Sequence, residues 1–186
     1  MSDALGFVHR WEPREGAART LLLLHGTGGD ENDLIGLGDM LDREANLLSP
    51  RGQVLENGMP RFFRRLAEGV FDVPDLLDRT EQLAAFVRAA SAQYGFPLDG
   101  VTAVGFSNGA NIAAALLLKY PGLVRQAVLY RAMVPLDEPP AAPLTGTRVF
   151  IAAGERDPII PPANSERLAK ILRESGADVT LGWTPG

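Results

Sequence analysis

The chain has no cysteine, only two histidines, no block of like charges and no long apolar run. Without cysteine there is no disulfide, no thiolate metal site and no thiol nucleophile. His9 and His25 do not fall into HExxH or any other paired-ligand spacing, so no histidine metal centre is expected. Acids and bases are interleaved for a net charge of −5. With no basic stripe to neutralise a phosphate backbone, nucleic acid is an unsuitable partner. The longest apolar run, residues 112–118, falls far short of the ~18 residues that span a bilayer, so no transmembrane segment is expected. The N-terminal residues lack an apolar signal region, which points to a cytoplasmic location.

What is present suits one α/β domain of 186 residues, 46% hydrophobic and 22% charged. Residues 20–25 (TLLLLH) form an unbroken apolar run closed by glycines, the pattern of a strand buried on both faces of a parallel sheet. Further strands are expected over residues 7–11, 46–49, 101–105, 124–129, 148–153 and 178–183. Helices are expected over 31–41, 72–94, 111–120 and 166–174. Gly95, Pro121 and Gly176 mark helix ends. Strands separated by helices imply βαβ crossovers, hence a mostly parallel central sheet flanked by helices on both faces. The proline-rich residues 135–143 read as a surface loop, not a domain boundary.

The sharpest chemical signal is Gly105-Phe106-Ser107-Asn108-Gly109, placed where a buried strand turns directly into a helix. Such a turn strains the serine backbone and lifts its hydroxyl above the sheet, while the glycines let strand and helix approach. An acyl-transfer serine needs two fixed amide donors for the tetrahedral oxyanion. Asn108, following the serine, supplies one, and Thr27 in the loop His25-Gly26-Thr27-Gly28-Gly29 is the best-placed second. Phosphate cradling suits these loops poorly: Glu31 stands where GxGxxG needs its last glycine, and no GK[ST] occurs. The acid of a triad belongs after a later strand, which singles out Asp157, with Glu155 as the fallback. No histidine follows Asp157. His25 reads as a brace of its own turn and His9 as peripheral, so the residues alone leave the general base unfilled.

Residues 24–33 (LHGTGGDEND), 105–121 (GFSNGANIAAALLLKYP) and 152–162 (AAGERDPIIPP) resemble the phospholipase/carboxylesterase family of α/β-hydrolases. The segments NGMPRFF (57–63) and RAMVP (131–135) are similar to family segments between those motifs. The resemblance implies an α/β-hydrolase fold, Ser107 as nucleophile, Asp157 as triad acid and the Thr27 and Asn108 amides as oxyanion hole. It implies a serine carboxylic-ester hydrolase that needs no metal or organic cofactor and takes a small-molecule acyl ester. A thioesterase or lysophospholipase of the same family is the alternative, and a catalytically silent binding protein the rival. In the family the catalytic histidine follows the acid by roughly thirty residues; here 29 follow Asp157. The expectation is therefore a chain cut short before that histidine, with the C-terminal part missing. By the same resemblance Met59, Phe62, Phe63, Met133 and Val134 could line an acyl groove, with core packing of these loops as the plain alternative. Arg61, Arg64 and Arg65 could meet an anionic head group, though a solvated basic face is the plainer reading. A homodimer is neither specified nor excluded.

Overall fold

A computed structural model describes residues 5–186. Among the described residues eleven strands and four α-helices follow one another, beginning with β1 (His9–Glu12), β2 (Thr20–Leu24), α1 (Ile35–Leu41) and β3 (Asn46–Pro50). Four short strands follow: β4 (Val54–Glu56), β5 (Met59–Arg61), β6 (Arg65–Ala67) and β7 (Val70–Phe71). Then come α2 (Val73–Tyr94), β8 (Val101–Phe106), α3 (Asn108–Lys119), β9 (Gln126–Tyr130), β10 (Arg148–Gly154), α4 (Pro162–Glu174) and β11 (Asp178–Thr184). Seven strands form one sheet in the order β1-β3-β2-β8-β9-β10-β11, while β4-β5 and β6-β7 are separate hairpins. Within the seven-stranded sheet only β1 runs antiparallel to its neighbour. The carboxyl ends of β2, β8, β9 and β10 therefore point to one edge of the sheet, where ligands bind in open α/β folds.

The continuous apolar run of β2 is explained by its two neighbours above and below. Leu22 and Leu24 enter the larger core with α2, α3 and α4, and Leu21 and Leu23 enter a smaller one with Leu47, Val104 and α1. Helices thus flank both faces, α1 on one and the other three opposite. Each leucine so buried contributes about 1.5–3 kcal/mol. Helix α3 is buried all round from Asn108 to Leu118 because it lies between the sheet and α2. Helix α2 is capped by Asp72, whose side chain accepts from the Asp75 amide, and stops at Gly95 in the left-handed region (φ 78°). On its inner face Leu76, Leu83, Phe86 and Val87 are buried.

Three expectations need correction. The helix expected over 31–41 forms only from Ile35, because Asp30 captures the Asn32 amide (2.8 Å) and Glu31 turns inward to Arg51 (2.6 Å). The helix expected from residue 111 begins directly after Ser107, and α4 begins at Pro162, a proline tolerated in the first turn. Residues 54–71 hold two hairpins that hydrophobic periodicity did not reveal. The Asn57-Gly58 pair, both at positive φ (51° and 78°), is the turn that closes the first.

Coverage of the sheet is uneven. Over β8–β11 the face carrying Thr102, Val128, Phe150 and Thr180 has no helix against it among the described residues, leaving a shallow depression of about 420 Å³ with Phe150 40% exposed.

Candidate active site

Ser107 sits between β8 and α3 with φ 53° and ψ −113°, a conformation uncommon for any residue with a Cβ. The flanking glycines explain why the turn is this tight. A Cβ at Gly105 would lie 2.6 Å from the Ala110 Cα, and one at Gly109 would lie 2.0 Å from the Leu24 carbonyl oxygen. The Ser107 amide donates to the Tyr130 carbonyl (2.9 Å) and its carbonyl accepts from Asn111 (2.9 Å), so the bend is tied on both sides. Its hydroxyl makes no capping bond to the helix.

The loop after β2 faces this turn. Gly28 (φ 87°) donates its amide to the Pro60 carbonyl (3.0 Å) and Gly29 to Gly26 (3.0 Å). Among the described residues no group accepts from the amides of Thr27 or Asn108, as befits a loop apex and the first turn of a helix. The Asn108 side chain is also fixed: its Oδ1 accepts from the Phe62 amide (2.7 Å), while its buried Nδ2 has no partner.

Asp157 lies in the loop after β10. One carboxylate oxygen accepts from the amides of Ile159 (2.8 Å) and Ile160 (3.0 Å), the other from the Arg131 guanidinium (2.9 Å). Burial pushes its acidity toward a higher pKa, but the two amides and Arg131 outweigh that and hold it below the usual aspartate range. Glu155 is exposed and contributes only its backbone to the Thr184 carbonyl.

These parts converge. A hollow of about 60 Å³ is lined by Thr27, Ser107, Asn108 and Asn111, by Arg61, Arg65 and Arg131, by Glu68, Gly69, Phe71 and Met133, and by Ile159 and Ile160 of the Asp157 loop. A wider depression of about 580 Å³, between residues 137–143 and the end of α4, lies away from these residues. Of the five expected groove residues only Met133 lines the hollow. Phe62 and Phe63 are 2% and 0% exposed and belong to the main core, a correction to their reading as acyl contacts. Met59 is 41% exposed with its thioether against the Gly28 turn, and Val134 packs on the core. The three arginines diverge: Arg64 pairs with Asp72 (2.6 Å) at the surface and Arg65 with Glu56 (2.8 Å), whereas Arg61 is buried.

Neither histidine has a free ring nitrogen. The Nδ1 of His25 hydrogen-bonds the Gly26 carbonyl (2.7 Å), and its Nε2 accepts from the Gly52 amide (2.9 Å). This fixes the tautomer, and burial holds the ring below the usual histidine pKa. The Nδ1 of His9 meets the Phe7 carbonyl (2.7 Å) and its Nε2 the Tyr94 hydroxyl (2.6 Å). Two residues that sequence reasoning did not select join the site. Asn111 holds the Met133 amide (2.8 Å), and Arg131 (φ 56°), directly after β9, braces Asp157. The available signal for Arg131 was its place at the carboxyl end of a parallel strand.

Fold and site together define an α/β-hydrolase. A family model for phospholipase/carboxylesterase matches residues 10–186, and the chain belongs to that family. It is 50% identical over 166 residues to the putative hydrolase MhqD of Bacillus subtilis, spanning 89% of this chain and 83% of that protein. The Bacillus cereus carboxylesterase superposes with a TM-score of 0.93 at 49% identity, covering 95% of this chain and 84% of that one. A carboxylesterase from Mesorhizobium loti gives 0.87 at 35% identity, covering 98% and 83%.

Proposed function

We propose that the protein is a serine hydrolase of carboxylic esters acting through an acyl-enzyme. The observation that carries this reading is the strained Ser107 turn opening onto the same hollow as Thr27, Asn108 and the Asp157 loop. In the first half-reaction the Ser107 oxygen attacks the acyl carbonyl, loses its proton to a base, and the alcohol departs with a proton from that base. In the second, the base takes a proton from water, the resulting hydroxide attacks the acyl-serine, and the base returns that proton to the Ser107 oxygen as the acid leaves. The amides of Thr27 and Asn108 take the negative charge on the carbonyl oxygen in both tetrahedral states. Asp157 is the group that orients an imidazole. Held ionised by two amides and Arg131, it remains available as an anion through the neutral range.

The base is the unfilled role within these 186 residues, since both histidines spend their ring nitrogens on structural bonds. Turnover of the 186-residue form is therefore expected to lie about 10⁴–10⁶-fold below that of a complete triad, with the oxyanion site supplying the remainder. Added imidazole should raise hydrolysis of a p-nitrophenyl ester above the rate imidazole gives without protein, and Ser107→Ala should remove that excess. In a form carrying a complete triad, a fluorophosphonate probe with peptide mapping should label Ser107. Ordinary turnover without imidazole would overturn the base assignment, and label on another serine would overturn the nucleophile. An imidazole-dependent rate no greater than that of imidazole without protein would favour a silent hydrolase-fold binding protein.

A further inference from the structure

The hollow beside Ser107 is lined by a buried cation that has no ion-pair partner among the described residues. Arg61, at the end of β5, is 3% exposed, and no carboxylate lies within ion-pair distance of it among the described residues. Its Nε donates to the Phe63 carbonyl (3.1 Å), one terminal nitrogen donates to the Thr27 hydroxyl (2.5 Å), and the guanidinium rests over the Phe63 ring (5.7 Å). Each neighbouring arginine has its own acid: Arg65 has Glu56, and Arg131 has Asp157. A guanidinium is among the most costly groups to bury unpaired, and a fold that needed only a brace for Thr27 could use a neutral donor.

A second observation points the same way. Asn108 Nδ2 is a fully buried donor with no acceptor, and the Phe62 amide on Oδ1 prevents the side chain from turning to find one. The residues around Ser107 therefore offer unused donors, and Arg61 is the lining arginine without a paired acid, the lining carboxylate Glu68 being exposed to solvent. The hollow itself, at about 60 Å³, is far below the ~300–1,000 Å³ of sites for larger ligands. A long apolar acyl chain has no room there and would bury Arg61 further.

We infer that Arg61 is a specificity-determining residue that selects small esters bearing a carboxylate near the scissile carbonyl. The Arg61 fork suits the two oxygens of a carboxylate. Its bond to Thr27 couples that recognition to the loop carrying one oxyanion amide, so an anionic substrate also steadies the amide. This inference rests on the Ser107 hydrolase reading for the location of the scissile carbonyl, but ligand binding tests it separately from chemistry.

The test is calorimetric titration of the 186-residue protein with monomethyl succinate and with its neutral analogue dimethyl succinate. The anion should bind at least about tenfold more tightly, as expected for a charge-assisted pair. Arg61→Met should erase that ratio, weakening the anion far more than the neutral ester. Arg61→Lys, which keeps the charge in a smaller volume, should retain part of it and covers the case in which the methionine variant fails to fold. The Ser107→Ala protein should keep the full ratio. Equal affinities, a ratio indifferent to Arg61→Met or, if that variant does not fold, to Arg61→Lys, or no saturable binding of the anion would each overturn the inference. Anion selectivity without fluorophosphonate labelling of Ser107 in a form carrying a complete triad would instead remove the hydrolase reading and leave the anion site standing.

Discussion

At Ser107 a single backbone angle carries the chemistry and a cost. Positive φ at a residue with a Cβ stores about 1–3 kcal/mol, whereas glycine takes the same conformation freely at an entropic cost of about 0.5–1 kcal/mol. Ser107→Gly is therefore expected to raise stability by about 1 kcal/mol in a denaturant titration while abolishing probe labelling. Gly109→Ala should act in the opposite sense. Its Cβ would meet backbone, not a movable side chain, so a loss of about 3 kcal/mol and of labelling together is expected. The serine and its glycines were legible from sequence because the constraint is local, within five residues. Arg61 was not distinguishable from Arg64 and Arg65, which share its chemistry. Their different fates depend on a hairpin, an acid at position 56 and another at 72, and on burial that only the folded chain decides.

Among the elements, the loop after β2 shows how a histidine can serve a site without reacting in it. His25 ties the Gly26 turn to Gly52 and so holds the Thr27 loop against the segment leading to Arg61. Its folded pKa is depressed, foremost by burial, so the unfolded chain takes up the proton first as pH falls. The stabilisation is complete above the ordinary histidine value of about 6.5 and is lost progressively below it. Thermal unfolding between pH 7.5 and 5 should show a steeper decline for the parent than for His25→Gln, and equal slopes would discard this account. In β2, Leu22→Ala is expected to cost about 2–5 kcal/mol, because Leu22 is fully enclosed between the sheet and the α2–α3 layer. The long capped helix α2 and the apolar strands were readable from propensity and periodicity. Helix α1 was overextended because side-chain bonds from Asp30 and Glu31 compete with helix formation, and charge alone does not reveal such partners.

For the molecule as a whole, the parallel sheet gathers chemistry at one edge. Residues 27, 107, 131 and 157 come from four separate loops, yet all follow carboxyl ends of neighbouring strands. That convergence was implied by the strand–helix alternation, whereas the size of the hollow was not. The broad surface over β8–β11 has a different consequence. With Phe150 open to water beside Val128, the 186-residue protein should light up an environment-sensitive dye such as anilinonaphthalene sulfonate even when fully native. Phe150→Lys should quench most of that signal without lowering the melting temperature by more than a degree or two, since the ring is only half covered. Handled at high concentration, this chain will behave less like a polished sphere than like a tile glazed on one side, and its solubility will be governed by the unglazed one.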